Sequence, residues 1–125
     1  MNEMPHFTKL EQAALNEICK HSRERPALEG QLATASVSSR KNTGDGFFTY
    51  FAVDKNCGPL AGPRRVLGNV TVTIEGFERP LMVALFMSKD GYANMLEATT
   101  AGDSTIGIDL SAVRFEIVHD LRTGE

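Results

Sequence analysis

The sequence predicts an α+β fold in which two N-terminal helices pack on an antiparallel, largely meander sheet of about five to six strands. Apolar residues recur at helical spacing near the N-terminus, and apolar and polar residues alternate after roughly residue 34. Turn sequences rich in glycine separate the alternating segments. Because helices precede strands instead of alternating with them, a parallel nucleotide-binding fold is disfavoured. Residues 1–125 are expected to form one domain.

The two helices have recognisable start signals. Thr8 followed by Glu11 has the form of a capping box, so the first helix is expected to begin there. Ala14 and Ile18 belong to an apolar stripe that predicts packing of this helix on a core. Pro26 suits the first turn of a second, shorter helix.

Period-two alternation and turn chemistry predict the strands. The predicted strands are 36–41, 47–53, 70–74, 81–87, 92–98 and 113–118. Residues 42–46 read Asn-Thr-Gly-Asp-Gly and residues 89–91 read Lys-Asp-Gly, both typical of hairpin turns. The almost continuous apolar run at 81–87 predicts a central strand that is covered on both faces.

Composition excludes several classes of partner. The chain has 125 residues, of which 42% are hydrophobic and 23% charged, as in an average globular domain. A net charge of −3 provides no positive field for nucleic acid. No apolar run approaches the roughly 20 residues of a membrane span, so no membrane association is expected. Two cysteines are too few for a secreted disulfide scaffold, which favours a soluble, cytoplasmic protein.

No metal or cofactor is expected. The histidines are His6, His21 and His119. They are scattered along the chain, and neither Cys19 nor Cys57 stands at ligand spacing from any of them. The glycines at 44–46 precede a strand, whereas a phosphate loop precedes a helix, so this segment is interpreted as a hairpin turn.

Polar residues at strand ends are the candidate ligand-binding site. Arg40, Asn42 and Thr43 lie at one predicted hairpin, and Glu97 and Thr99 lie at the end of a later strand. The alternative interpretation is that Arg40 and Glu97 form a cross-strand ion pair of small structural value.

The loop at 54–65 is the longest irregular segment, and its glycines and prolines argue against regular structure. Cys57, Arg64 and Arg65 in this loop are the candidate partner-binding residues. The basic pair at 64–65 is also compatible with an ordinary solvated surface.

Three segments carry a resemblance. Residues 39–51 read Ser-Arg-Lys-Asn-Thr-Gly-Asp-Gly-Phe-Phe-Thr-Tyr-Phe, residues 90–92 read Asp-Gly-Tyr, and residues 95–98 read Met-Leu-Glu-Ala. Together they resemble a family of small uncharacterised bacterial proteins with an arginine, a Thr-Gly-x-Gly-Phe-Phe turn and strand, and a later Leu-Glu element. The resemblance implies a bacterial origin and an unknown function, and it transfers no site.

Three functional hypotheses follow. The first is a non-enzymatic protein-interaction or accessory protein, for example a toxin-neutralising (immunity-like) one, acting through the exposed sheet face and residues 57–65. The second is a small-molecule binding protein or enzyme with a cleft between helices and sheet, anchored by Arg40 and Glu97. The third is self-association through strand or sheet pairing. The lack of a recognisable catalytic set favours a protein that is not an enzyme.

Overall fold

The computed structural model describes residues 6–61 and 65–118, and within these ranges the chain forms two helices followed by six strands. The helices are α1 (Lys9–Lys20) and α2 (Arg25–Ala33), and a single 3-10 turn covers Lys55–Cys57. The strands are β1 (Ser36–Asn42), β2 (Gly46–Ala52), β3 (Val66–Ile74), β4 (Leu81–Met87), β5 (Ala93–Thr99) and β6 (Phe115–Val118). The predicted α+β architecture, with helices first, is confirmed.

Both predicted helix starts are confirmed. At α1 the Thr8 hydroxyl accepts from the Glu11 amide at 3.1 Å, and the Thr8 amide donates to the Glu11 carboxylate at 2.8 Å. This reciprocal pair satisfies two amides that the first helical turn would leave unpaired. Pro26 lies in the first turn of α2, where its missing amide hydrogen costs nothing.

All neighbouring strands of the sheet are antiparallel. The order is β1-β2-β5-β4-β3-β6, so β3, β4 and β5 form a meander and the β1–β2 hairpin joins it beside β5. The connection from β2 to β3 passes the two strands between them. The short strand β6 closes the other edge against β3.

The helices cover one face of the sheet, where the core lies. Leu81, Val83 and Leu85 of β4 are completely buried on this face. α1 lies mainly over β3, and a Cβ atom added at Gly68 would come within 2.9 Å of the Ile18 side chain. The missing side chain at Gly68 therefore allows the helix to approach the strand closely.

The described residues leave the opposite face of β4 uncovered, which overturns the prediction that this strand is enclosed on both sides. Met82 is 44% exposed, and Ala84 and Phe86 are half-buried. In the described part of the chain, no helix packs on this side of the sheet. An apolar run alone does not distinguish a strand enclosed by its own chain from one that keeps an apolar face exposed.

Neither helix in the described ranges is long and apolar enough to cross a membrane.

Candidate functional site

The uncovered face of the sheet carries large apolar side chains on four adjacent strands. We call this surface the open face; its large apolar members on these four strands are Phe48, Tyr50, Val66, Met82, Phe86 and Met95. Tyr50, Val66 and Met82 are 40–44% exposed, and the other three are half-buried. Contiguous exposed apolar surface on a folded chain is typical of an interaction site.

Strand register brings these side chains next to each other. Tyr50 pairs with Met95, Met95 with Phe86, and Phe86 with Val66, which makes one row across four strands. The rings of Phe48 and Tyr50 lie 6.1 Å apart along β2. Paired residues on neighbouring strands have Cβ atoms about 5 Å apart, so the row is a continuous apolar strip.

A carboxylate lies in the middle of this apolar surface. Glu97 of β5 pairs in register with Phe48 on one side and Ala84 on the other. It is half-buried, and among the described residues it forms no ion pair and no side-chain hydrogen bond. A carboxylate that loses water without gaining a partner is destabilised, so this position favours the approach of a cation.

The open face also receives a second predicted site residue. Thr99 follows Glu97 by two positions on β5, is exposed, and pairs in register with Gly46 and Met82. The structure therefore brings Glu97 and Thr99 together on one surface, but that surface is a flat sheet face and not a cleft.

Arg40 lies on the other side of the sheet, so the prediction that Arg40 and Glu97 anchor one cleft is wrong, and so is the alternative interpretation that they form a cross-strand ion pair. Arg40 pairs in register with Thr49, and Thr49 pairs with Leu96. Since successive residues of a strand point to opposite faces, Glu97 is directed away from Arg40. The register of two intervening pairings decides this, and residue spacing along the sequence does not reveal it.

The true partner of Arg40 is Glu11 of α1. The guanidinium donates to the two carboxylate oxygens from Nε at 3.0 Å and Nη2 at 2.7 Å, a bidentate pair. Thr49 donates its hydroxyl to the same carboxylate, and Arg40 also donates to the His6 carbonyl at 2.8 Å. The Glu11 side chain is only 1% exposed, whereas that of Arg40 is 38% exposed.

The charge state of Glu11 follows from these contacts. Burial raises the pKa of the carboxyl, but hydrogen bonds from Arg40, Thr49 and Thr8 lower it by more, so the pKa lies below its usual value. Glu11 is therefore ionised at neutral pH. One carboxylate caps the helix, neutralises Arg40 and joins α1 to β1 and β2.

Asn42 and Thr43 build the β1–β2 turn. The Asn42 amide donates to the Thr105 carbonyl at 2.8 Å, and its oxygen accepts from the Gly44 amide at 2.9 Å. The Thr43 hydroxyl accepts from the Asp45 amide. Their polar groups are thus engaged in the turn.

The predicted turn glycines are required by close packing. At Gly46 φ is +142°, and an added Cβ atom would lie 1.8 Å from the Ala98 carbonyl oxygen. Thr105 fills the remaining space, because its hydroxyl accepts from the Gly46 amide at 3.1 Å and is fully buried. The loop after β5 is thereby fixed to the turn before β2.

A cleft of about 390 Å³ lies beside Arg40, between the start of α1, strand β1 and the loop around residue 109. Phe47, Ile108 and Leu110 form its apolar wall, and Asn42 also lines it. Asp109 adds a second carboxylate, whose pKa hydrogen bonds from Ser111 lower. With Glu11 and Asp109 ionised against one arginine, the cleft carries a net negative charge.

The 54–65 loop is held at its start by a buried glutamine. Gln31 of α2 donates to the carbonyls of Gly58 at 3.0 Å and Gly91 at 3.1 Å and accepts from the Ala93 amide at 2.9 Å. Cys57 is exposed in this loop. Arg65 is exposed too, and its carbonyl accepts from Met87 at 2.7 Å. Arg64 lies outside the described residues.

Neither cysteine is paired in a disulfide. Cys19 is buried between the helices and the core, and burial raises the pKa of its thiol to about 11. In the parts of the chain that are described, no group of three or more histidine, cysteine or carboxylate residues is placed to hold a metal ion.

Buried polar residues are what the sequence did not reveal. Glu11, Gln31, Thr49 and Thr105 are at most 1% exposed. The capping box gave Glu11 one function, but nothing in the sequence indicated its second one with Arg40. Gln31 shares the buried side of α2 with Leu28, three residues earlier, but a polar side chain in a short helix gave no sign that it would be buried.

Comparison with known proteins adds no relative: no family model, no curated protein and no solved structure matches this chain. The resemblance to small bacterial proteins stays a prediction, and function has to be argued from the geometry.

Proposed function

We propose that this chain is a cytoplasmic, non-enzymatic protein-interaction or accessory protein that docks a protein partner on the open face. The observation that carries the proposal is the apolar strip from Tyr50 to Val66 and, beside it, Glu97, which has no partner among the described residues. Two unpaired cysteines support a reducing compartment.

The chemistry of the open face defines the partner. Its six apolar side chains call for an apolar protein surface, since burying them gains about 25 cal/mol for each Å² removed from water. Glu97 calls for a lysine or arginine on that surface, because an unpaired carboxylate in a closed interface would cost several kcal/mol. A partner that lacks the cation is therefore discriminated against.

The 57–65 loop has a smaller part in this proposal than the sequence suggested. Gln31 holds the loop against the ends of β4 and β5, and its exposed members Cys57 and Arg65 are polar rim residues at most. We assign the affinity to the open face and give the loop only a rim contact.

Site-specific photo-crosslinking tests the proposal. A photoreactive residue in place of Met95 is expected to give a discrete protein adduct, identified by mass spectrometry, in cells that naturally express the chain. The adduct should disappear when Glu97→Lys is added. The same photoreactive residue in place of the exposed Gln12 of α1 is the control. An adduct pattern at Met95 that equals the pattern at Gln12, or that survives Glu97→Lys, contradicts the proposal.

A second candidate function is favoured by the cleft beside Arg40. Its apolar wall and the exposed part of the Arg40 guanidinium suit a small, mostly apolar ligand that presents a hydrogen-bond acceptor. Because Glu11 and Asp109 leave the cleft net negative, a neutral ligand is preferred to an anion. Glu97 has no part in this site.

Two isosteric probes test the cleft. Isobutyramide is expected to shift the methyl NMR signals of Ile108 and Leu110 in a saturable way, whereas isobutyrate shifts them less. Val66 on the open face serves as the internal control. Equal shifts at Val66 and Ile108 would mean that the probes bind without preference for the cleft.

A further inference from the structure

One row across β1, β2 and β5 carries a positive and a negative side chain at equal distances on either side of its central residue. Lys41 of β1 pairs in register with Phe48 of β2, and Phe48 pairs with Glu97 of β5. A cation thus lies one strand to one side of Phe48 and a carboxylate lies one strand to the other side. In the described ranges neither Lys41 nor Glu97 forms an ion pair.

A two-fold axis that runs along β2 over Phe48 exchanges the two charged positions. A second copy placed by this axis presents its Lys41 to Glu97 and its Glu97 to Lys41. Both contacts lie at the same height along the strands, because the three residues share one row. The same axis places Phe48 and Tyr50 of β2 opposite their own copies. The row is therefore complementary to itself.

We propose that the part of the open face on β2 and β5, together with β1, binds a second copy of this chain face to face about this axis; the contact covers Phe48, Tyr50 and Met95 and leaves the apolar side chains of β4 and β3 outside it. The inference rests on the proposed function, since it names the occupant of that surface. Packed sheets lie about 10 Å apart, a gap that a lysine and a glutamate reaching from opposite sides bridge together. Each dimer then contains two Lys41–Glu97 ion pairs around an aromatic centre.

The charges decide where the axis lies. An axis over the middle of the sheet, between β5 and β4, would cover more surface but would place Glu97 opposite Ala84 of the other copy. Two carboxylates would then be buried without partners, at a cost of several kcal/mol. The pairing over β2 avoids this cost, so the ion pairs select the register while the apolar side chains supply the affinity.

The size of the overlap predicts a weak, reversible dimer. Three strands spaced about 4.8 Å apart and about 24 Å long give an overlap of roughly 350 Å² per copy. A standard interface buries about 800 Å² per partner, and smaller ones are transient. Association is therefore expected to depend on concentration in the micromolar to millimolar range.

Sedimentation equilibrium with charge-swapped variants tests the arrangement. The unchanged chain is expected to dimerise reversibly over that concentration range. Lys41→Glu and Glu97→Lys each place like charges opposite one another at two contacts, so each should weaken the dimer at least about tenfold. The double variant Lys41→Glu/Glu97→Lys should regain the affinity of the unchanged chain within about threefold, because both contacts are restored with reversed sign.

Glu116→Lys is the control. Glu116 lies on β6, outside the overlap of β1, β2 and β5, so the same change of charge on the same sheet should leave the dimer unchanged. Circular dichroism and urea unfolding check that each variant is folded. The double variant tests whether the dimer affinity is recovered and not only whether it is lost.

Three results would overturn the inference: a monomer at every concentration, single variants that dimerise normally, or a double variant that is not rescued. If the chain is monomeric while the Met95 crosslink captures a different protein in a Glu97-dependent way, only the two-fold arrangement fails. If no adduct forms either, the proposed function fails with it.

Discussion

Two glutamates on opposite faces of the same sheet contrast sharply. Glu11 is fully buried and receives hydrogen bonds from Arg40, Thr49 and Thr8. Glu97 is half-buried between Phe48 and Ala84 and receives none within the described residues. One carboxylate is satisfied by its own chain, and the other has no partner in residues 6–61 and 65–118.

The difference teaches how to separate a structural charge from a recognition charge. A buried charge persists when its own fold supplies the partners, and its removal is then a stability problem. A charge on an exposed apolar face gains a partner only from outside, and its removal is then a binding problem. The following experiments are ordered from the largest expected effect on stability to the smallest.

Breaking the Glu11 pair should have the largest effect. Arg40→Met leaves the Glu11 carboxylate buried with two of its hydrogen bonds removed, and we expect a loss of about 2–3 kcal/mol in the free energy of unfolding. This loss is smaller than the roughly 3–5 kcal/mol that breaking a fully buried pair costs, because the Arg40 side chain is 38% exposed. Urea unfolding followed by circular dichroism measures it.

The double variant Glu11→Leu/Arg40→Met is the control for that experiment. It removes the charge together with its partner, so it should be more stable than Arg40→Met alone. Because Glu11→Leu also removes the acceptor of the Thr8 amide and the Thr49 hydroxyl, Glu11→Gln/Arg40→Met, which keeps an accepting oxygen, is measured beside it. If this variant too is less stable than Arg40→Met, Arg40 acts through packing rather than through Glu11.

Gln31 is an uncharged polar residue that, like Glu11, is buried and finds its hydrogen-bond partners within its own chain. Gln31→Leu leaves the carbonyls of Gly58 and Gly91 and the amide of Ala93 without their side-chain partner, at a cost of about 2 kcal/mol. Gln12→Leu, on the exposed side of α1, should change the free energy of unfolding by less than about 0.5 kcal/mol. Equal effects of the two substitutions would contradict the assigned anchoring function.

Acid should destabilise the protein through Glu11. The folded-state pKa of Glu11 is lowered relative to the unfolded chain, so its contribution is complete above the unfolded value of about 4.3 and is lost as the pH falls through the folded value. This carboxyl alone adds at most about 1.4 kcal/mol per pH unit to the slope of the free energy of unfolding against pH. Urea unfolding at several pH values measures how the free energy of unfolding changes with pH. Below about pH 4.3 this change should be smaller in Glu11→Leu/Arg40→Met than in the unchanged chain, and an equal change would contradict the lowered pKa of Glu11.

Glu97→Gln should have the smallest effect on stability. No hydrogen bond or ion pair is lost within the described residues, so the free energy of unfolding should change by less than about 0.5 kcal/mol. Loss of more than about 1 kcal/mol in urea unfolding would show that Glu97 is a structural residue after all. The contrast between the two carboxylates would then disappear.

Local rules predicted the architecture from the sequence. The Thr8–Glu11 capping box, the Asn42–Gly46 turn and the alternation in β3 each report on neighbours in the chain, and the structure confirms them. Antiparallel pairing of β1 with β2, β3 with β4 and β4 with β5 then follows, because turns join these consecutive strands.

The site was predicted only in part because it depends on strand order and register. The connection from β2 passes β5 and β4, so β2 lies between Arg40 and Glu97, and the register of the two pairings directs these side chains to opposite faces. The apolar run in β4 identified a central strand correctly but gave no information about what covers its second face. Both results depend on long-range contacts that a local pattern does not encode.

Chemical crosslinking at Tyr50 tests the central claim most directly. In a Cys57→Ser background the remaining Cys19 is buried, with a thiol pKa of about 11, and reacts poorly. Tyr50→Cys with a short bismaleimide is then expected to give a covalent dimer, since the two-fold axis places this position opposite its own copy. Thr73 is exposed on the same face but lies on β3, outside the overlap of β1, β2 and β5, so the Thr73→Cys variant is expected to stay monomeric. Equal crosslinking at both positions, or none at position 50, would contradict the account.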